Sequence, residues 1–155
     1  MRYIVIILAL LFVGCSTKEY KQTKAKIIII KTKQLKFADV GYIKNNSDAV
    51  LLELFVAGRP VKKIEINHLI CVDKWCNTKS AFNSSYLNDA YPDDILQHII
   101  LGKAIFNSLN KSTNSSGFIQ KIKNKDVDIT YRVTNKEIYF KDRQNHIIFK
   151  IKDTK

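Results

Sequence analysis

Apolar and polar residues alternate along several short segments of this chain, and this pattern constrains its fold more than any other feature. Val127, Ile129, Tyr131 and Val133 are separated from one another by polar residues. Because successive side chains of a strand point to opposite faces of a sheet, the alternation predicts a strand with one buried face. Further apolar runs predict strands near residues 35–43, 50–56, 61–66, 68–73, 118–123, 138–140 and 147–151, and the β-branched run at 27–30 predicts another.

A helical segment separates the predicted strands into two groups. The Pro-Asp-Asp sequence at 92–94 is typical of a helix start, apolar residues repeat at helical spacing from Ile95 to Ile100, and Gly102 fits just past the end. Two further segments are predicted nearby: a shorter helix over residues 79–87 and a polar loop over residues 107–117. The short connections between strands favour antiparallel pairing. The sequence therefore predicts an α+β fold, an antiparallel curved sheet or open β-barrel covered by a helical insertion.

The first fifteen residues predict export and acylation. Arg2 precedes eleven apolar residues, and Gly14 and Cys15 follow. The apolar run is shorter than the about 20 residues that span a bilayer, but it has the length of a secretory signal. The Gly-Cys pair resembles the bacterial lipobox, although Phe12 stands where that pattern has Leu. The resemblance implies removal of residues 1–14 as a lipoprotein signal peptide and acylation of Cys15. The alternative is a plain signal peptide or anchor helix with an incidental cysteine.

The residues after Cys15 predict a tether and then one domain. Residues 15–25 are polar and charged and are interpreted as an acylated N-terminus with a tether, and residues 26–155 as a single β-rich domain. In the sorting pattern for inner-membrane retention, Asp follows the acylated cysteine. Here Ser16 follows Cys15, and this resembles the outer-membrane class. The expected location is therefore the outer membrane, with the domain facing the periplasm, and the expected partner there is membrane lipid through Cys15.

The positive charge of the chain does not indicate nucleic-acid binding. The formal net charge is +12, but 22 of the 26 basic residues are lysine and only four are arginine. Proteins that recognise bases rely on arginine and on aromatic residues placed among basic ones, and this chain shows no such module. We expect no nucleic-acid partner. Lysines between residues 18 and 36 would lie beside the membrane, where each gains about 1 kcal/mol from anionic head groups, or would belong to a solvated linker.

Two cysteines and the only tryptophan occur within six residues. Cys71 and Cys76 predict a disulfide that closes a hairpin and stabilises it by about 2 kcal/mol, since a zinc site would need a second pair of ligands and the protein is exported. A metal site or free thiols are the alternatives. Trp75 at the tip is a candidate for membrane contact; the alternative is an indole packed on the hairpin or helix.

The sequence contains no motif that predicts catalysis. There is no nucleophile elbow, no phosphate-binding loop and no HExxH helix. Asp93 and Asp94 form an acidic pair, but they are interpreted as residues of a helix start. We therefore expect a protein that is not an enzyme, without catalytic residues, metal or cofactor.

The order of these features resembles the LolA/LolB family of outer-membrane lipoprotein trafficking. Residues 52–66, LELFVAGRPVKKIEI, resemble a hairpin of that fold in which a Gly-containing turn joins two apolar strands. Residues 94–102, DILQHIILG, resemble the helix that follows. The resemblance covers about residues 26–153 and implies an incomplete β-barrel, closed by helices, whose apolar interior holds the acyl chains of a lipoprotein. The family's protruding loop has no counterpart that we can place, and the Cys71–Cys76 pair is not typical of the family.

Two functions are compatible with this sequence. The first is a lipid-anchored carrier or acceptor that binds acyl chains or lipoproteins in an apolar cavity, without chemistry. The second is a lipid-tethered module that binds another protein of the cell envelope and has no ligand pocket. A continuous apolar cavity of several hundred Å³ would favour the first, and a fully packed interior would contradict it. The candidate lining residues, which a closed core would equally explain, are Phe37, Leu52, Leu54, Ile64, Ile66, Ile95, Ile99, Tyr131 and Phe140.

Overall fold

A computed structural model describes residue 20 and residues 22–154, and its main element is one curved antiparallel sheet that does not close into a barrel. This confirms the predicted α+β fold with a curved antiparallel sheet. In the described part of the chain the sheet has eleven strands. They are β1 (Gln22–Lys31), β2 (Lys36–Asn45), β3 (Val50–Val56), β4 (Arg59–Ile66), β5 (Ile70–Val72), β6 (Trp75–Asn77), β7 (Lys111–Asn114), β8 (Gly117–Lys123), β9 (Asp128–Thr134), β10 (Glu137–Asp142) and β11 (Ile147–Asp153).

The first strand of the chain lies in the middle of the sheet. The strand order is β6-β5-β4-β3-β2-β1-β11-β10-β9-β8-β7. The pairing of β1 with β11, which sets Ile28 opposite Ile151, joins two groups of hairpin-connected strands. We call β1–β6 the first half of the sheet and β7–β11 the second half. The two short strands β6 and β7 are the edges, so the sheet remains open between them.

Residues 78–110 connect the two halves and pack on the inward face of the sheet. This segment, which we call the helical cover, contains α1 (Lys79–Tyr86) and α2 (Ile95–Leu101), followed by a single turn at Phe106–Ser108. Thr78 caps α1, because its Oγ1 accepts a hydrogen bond of 3.2 Å from the backbone N–H of Ala81. Gly102 ends α2 at a φ of 66°, in the left-handed region that glycine adopts easily. Among the described residues, no helix has the length and apolar character needed to cross a membrane.

The core lies between the inward face of the sheet and the helical cover. Ile28 and Leu54 are both fully buried and meet over Gly41 of β2. A Cβ on Gly41 would lie 2.6 Å from Ile28 Cδ1 and 2.9 Å from the backbone oxygen of Glu53, which is closer than side chains pack. Glycine is therefore required here, because the side chains of the neighbouring strands pack directly on the β2 backbone.

Three predicted boundaries differ from the observed ones. β1 begins at Gln22, within the segment interpreted as a tether, because β2 continues to Asn45 and offers it a partner. The polar residues 107–117, predicted to form a loop, contain β7, and the strand predicted over 68–73 is the shorter β5, which continues into β6. Both edge strands are exposed, so neither carries the apolar alternation by which strands are recognised. The predicted signal peptide and Cys15 lie outside the described residues.

Candidate functional site

The nine residues proposed to line a cavity all lie in one core. Each is at most 8% exposed, and all belong to a single cluster of buried side chains. They lie on three strands of the first half, two strands of the second half and α2, as the sequence analysis expected of a common interior. The structure brings together Phe37, Leu52, Leu54, Ile64, Ile66, Ile95, Ile99, Tyr131 and Phe140.

The apolar space beneath the helical cover is small. It lies between α1, α2, strands of the first half and β11 of the second half, and its walls include Leu52, Ile64, Phe82, Leu96 and Phe149. Its volume is about 10 Å³. A space of this size holds about one water molecule, whereas binding sites for small ligands measure about 300–1,000 Å³. In this conformation the side chains therefore fill the interior, and an acyl chain would fit there only if the helical cover moved.

The helical cover meets the first half of the sheet through apolar side chains. Phe82 of α1 and Leu96 of α2 are buried beside the aliphatic residues Leu52 and Ile64. The buried residues of this half are mainly isoleucine, leucine and valine. Aliphatic contacts have no preferred direction, so other apolar groups can replace them at little cost.

The helical cover meets the second half through a network of aromatic rings. The ring of Phe140 is fully buried, and its centroid lies 6.0 Å from Tyr91, 6.0 Å from Tyr131 and 6.1 Å from Phe149, in edge-to-face orientations. Phe106 of the cover adds a further edge contact to Tyr91, with a centroid distance of 6.3 Å. Such pairs depend on orientation and contribute about 0.5–1.5 kcal/mol each beyond the area they bury.

A buried carboxylate fastens the helical cover to the turn between β10 and β11. The Tyr91 hydroxyl donates to Asp142 Oδ2 over 2.7 Å, and Asn145 Nδ2 donates to the same oxygen over 2.7 Å. The backbone N–H groups of Asp128 and Gln144 donate to Asp142 Oδ1 at 3.1 and 3.0 Å. Burial disfavours the charge of Asp142, but these hydrogen bonds outweigh it and hold the pKa of its carboxyl below the usual value.

The hydroxyl groups of two buried tyrosines donate hydrogen bonds that link the helical cover to the second half. Tyr131 Oη donates to the backbone oxygen of Lys103 at 2.9 Å, and the backbone oxygen of His98 lies 3.3 Å away. Burial raises the pKa of Tyr131. Burial, together with the nearby Asp142 carboxylate, also raises the pKa of Tyr91. Both hydroxyls therefore remain protonated donors over the whole physiological range.

Gln120 on β8 holds a strained turn at the end of the helical cover. Its Nε2 donates to the backbone oxygens of Ile105 at 3.0 Å and Leu109 at 2.7 Å, and its Oε1 accepts from the backbone N–H of Ile105 at 2.9 Å. Between these points residues 106–108 have φ values of 47°, 53° and 65°. Three consecutive residues other than glycine in the left-handed region are unfavourable, at a cost of order 1–3 kcal/mol each. The buried amide of Gln120 thus stabilises a turn that the local sequence disfavours.

The sequence analysis did not identify these polar contacts. Gln120 precedes Ile122 by two residues and Asp142 follows Phe140 by two, so both occupy inward positions of their strands. A polar residue at an inward position of an alternating run is the signal that would have identified them, because such a group must find partners when buried.

The remaining candidates lie at the edge of the first half. The predicted disulfide joins Cys71 and Cys76, which face each other in the register of β5 and β6 with a Cα–Cα distance of 3.9 Å. Trp75, on edge strand β6, is 80% exposed. Among the described residues, no group of three or more His, Cys, Asp or Glu side chains is arranged to hold a metal ion.

Comparison of the chain with protein-family models, with curated proteins and with solved structures finds no match.

Proposed function

We propose that this protein is a lipid-anchored carrier or acceptor of the outer membrane that binds acyl chains, free or on lipoproteins, beneath its helical cover. One observation carries the proposal: the apolar face of an open sheet is covered by two short helices that are fastened by hydrogen bonds to one half of the sheet and rest on aliphatic side chains of the other. The LolA/LolB resemblance likewise implies an incomplete β-barrel that helices cover.

The filled interior argues against a preformed cavity, so binding requires the helical cover to separate from the first half. The contacts that break are aliphatic, and an acyl chain can replace them, since each buried CH₂ contributes about 0.8 kcal/mol. The contacts at Asp142, Tyr131 and Gln120 keep the cover attached to the second half during this movement. Release follows when the chain reaches a membrane, because the bilayer interior is as apolar as the protein interior. The function involves no catalytic residue.

Attachment to the membrane forms the second part of the proposal. Acylation of the Cys15 sulfur and of its new amino group would supply more than one acyl chain. Two or more acyl chains are what stable attachment to a membrane requires. The tether then leads directly into β1, and the domain faces the periplasm. The carrier is therefore placed beside the membrane that receives the acyl chains.

A protein-binding module is the second candidate function. Trp75 is 80% exposed, and Val56 and Val61 on the neighbouring hairpin of β3 and β4 are 48% and 49% exposed. Exposed apolar residues beside an uncovered edge strand favour contact with another protein. The filled interior agrees with this function without any movement.

Binding of a fluorescent long-chain fatty acid to the purified full chain tests the carrier. We expect saturable binding that Leu35→Trp weakens several-fold, because Leu35 lines the small apolar space and a larger side chain would occupy it. Tyr86→Ala enlarges the same space and is expected to strengthen binding. Leu109→Trp is the matched control, since Leu109 is 49% exposed and lies outside that space. Cys15→Ser, which removes the acylation site, should abolish anchoring but leave binding of the fatty acid unchanged.

Three outcomes would overturn the carrier. The probe could fail to bind in a saturable manner, Leu109→Trp could weaken binding as much as Leu35→Trp does, or Tyr86→Ala could leave the affinity unchanged while the fold is intact by circular dichroism. Each of these results would leave the protein-binding module as the better explanation.

A further inference from the structure

An open groove with lysines around it lies at the start of β1. It lies between β1, β2, α2 and the turn that joins β9 to β10, and its volume is about 470 Å³. Among the described residues, four lysines line it: Lys24, Lys26, Lys103 and Lys136. They come from three separate parts of the chain, so the fold collects them at one place. We call this the lysine groove.

The interior surface of the lysine groove is aliphatic. Ile43, Ile100 and Ile151 are each at most 7% exposed, and Leu101 and Ile138 are half-buried beside them. A pocket that combines cationic side chains with an apolar base matches a molecule with an anionic head and a hydrocarbon chain. The described residues that line it include none of the aromatic side chains on which nucleic-acid bases stack.

The two carboxylates in the lysine groove do not cancel its positive charge. Asp153 forms an ion pair with Lys26, which lowers the pKa of its carboxyl. Glu137 pairs outside the groove with Arg132 at 3.1 Å and with Lys152 at 3.3 Å. Since Lys26 is neutralised by Asp153 and Glu137 pairs with cations outside the groove, Lys24, Lys103 and Lys136 supply the excess of positive charge towards the opening.

The position of the lysine groove in the chain places it beside the membrane. Lys24 follows Cys15 by nine positions, a length of at most about 32 Å when fully extended. Trp75, the contact expected from the sequence, lies on edge strand β6, five strands from β1 and so about 24 Å farther along the sheet. The groove is therefore the described surface that the tether brings to the bilayer most directly.

We propose that the lysine groove binds an anionic phospholipid of the membrane to which the protein is tethered, with the head group at the lysines and an acyl chain along the isoleucines. This inference rests on the proposed anchoring through Cys15. It adds a lipid site that is separate from the space beneath the helical cover and that sets which surface of the domain faces the bilayer.

Photo-crosslinking in vesicles tests the lysine groove. The acylated full chain is reconstituted into vesicles that contain phosphatidylglycerol or phosphatidylcholine with a photoreactive acyl chain, and the labelled peptides are identified by mass spectrometry. We expect phosphatidylglycerol, and not phosphatidylcholine, to label residues 97–103 and 134–138. The combined change Lys103→Gln and Lys136→Gln should reduce this labelling about tenfold or more, since lysines near an anionic surface each contribute substantially to binding.

Matched variants distinguish binding in the lysine groove from general attraction of a basic protein to an anionic membrane. Lys33→Gln with Lys74→Gln removes two exposed lysines outside the lysine groove and should leave the labelling unchanged. Asp153→Asn releases Lys26 from its ion pair and should increase the labelling, an effect that a purely structural carboxylate would not produce.

Three results would disprove the lysine groove as a lipid site. Both lipids could label it equally, or the changes at Lys33 and Lys74 could have the same effect as those at Lys103 and Lys136. The labels could also concentrate at Trp75. Failure of the anchoring proposal is distinguishable, since the chain would then not reconstitute. Failure of the carrier proposal would be detected separately, by the binding experiment with the fluorescent fatty acid.

Discussion

The two halves of the sheet hold the same helical cover by different forces. In the first half, aliphatic side chains such as Leu52 and Ile64 press against α1 and α2. In the second half, Phe140 and Tyr131 form an aromatic network, and Asp142 and Gln120 hold polar groups of the cover at defined distances. The first kind of contact is replaceable and the second is specific. A segment attached in this way can open on one side while remaining correctly placed on the other.

The two fully buried polar residues that hold the helical cover, Gln120 and Asp142, both lie in the second half. Gln120 and Asp142 are fully buried, and each is satisfied by groups of the helical cover or of an adjacent turn. A buried polar group without partners costs about 1–3 kcal/mol, so these contacts must form together or not at all. The helical cover is therefore attached more specifically to the second half than to the first.

The largest expected effect is the loss of the ring at the centre of the aromatic network. Phe140→Ala should lower the free energy of unfolding by about 3–5 kcal/mol, because it removes a fully buried ring and its contacts with three others. Urea denaturation measures the change. Tyr139→Ala on the same strand is the control, and a cost of about 1 kcal/mol is expected there, since its ring is half-buried and contacts the cations of Arg132 and Lys150. Equal costs for the two variants would contradict a special role of the network.

An intermediate effect is expected from the carboxylate that fastens the helical cover. Asp142→Asn should lower the free energy of unfolding by about 1.5–3 kcal/mol at neutral pH, because charged hydrogen bonds are replaced by poorly matched ones. The folded-state pKa of Asp142 is lowered, so its contribution is complete above the usual Asp pKa of about 3.9 and is lost as the pH falls through the lower folded value.

The pH dependence provides the decisive measurement for Asp142. The natural protein should lose stability more steeply below about pH 4 than Asp142→Asn does. Asp126→Asn, at an exposed position close to the same turn, should keep the steep dependence. A steep dependence in Asp142→Asn as well would show that other carboxylates cause the acid sensitivity.

The smallest expected effect concerns the strained turn next to Gln120. Ser108→Gly should raise the free energy of unfolding by about 1 kcal/mol, since the φ of 65° at Ser108 is unfavourable for a residue with a side chain and easy for glycine. Ser84→Gly in α1 should have the opposite sign, because glycine disfavours a helix. Thermal denaturation distinguishes the two, and a loss of stability in both variants would contradict strain at this turn.

Elements with a regular apolar pattern were predictable, and elements at the edge of the sheet were not. The alternation from Val127 to Val133 predicted β9, and helical spacing up to Gly102 predicted α2. β7 escaped prediction, and β6 was indicated only by the hairpin predicted at Cys71 and Cys76, because edge strands with exposed side chains need no apolar face. The inward positions of the nine proposed lining residues followed from the same alternation, whereas the volume left between them did not.

The sequence by itself determined the antiparallel fold, the identity of most core residues and the disulfide, because these depend on local periodicity and on neighbouring cysteines. Only the tertiary structure decided how the helical cover is held, how little space lies beneath it and which lysines share one groove. Those features join residues far apart in the chain, such as Tyr91 with Asp142 and Lys24 with Lys136. Local patterns do not indicate which distant residues become neighbours, because packing in three dimensions sets the distances between them.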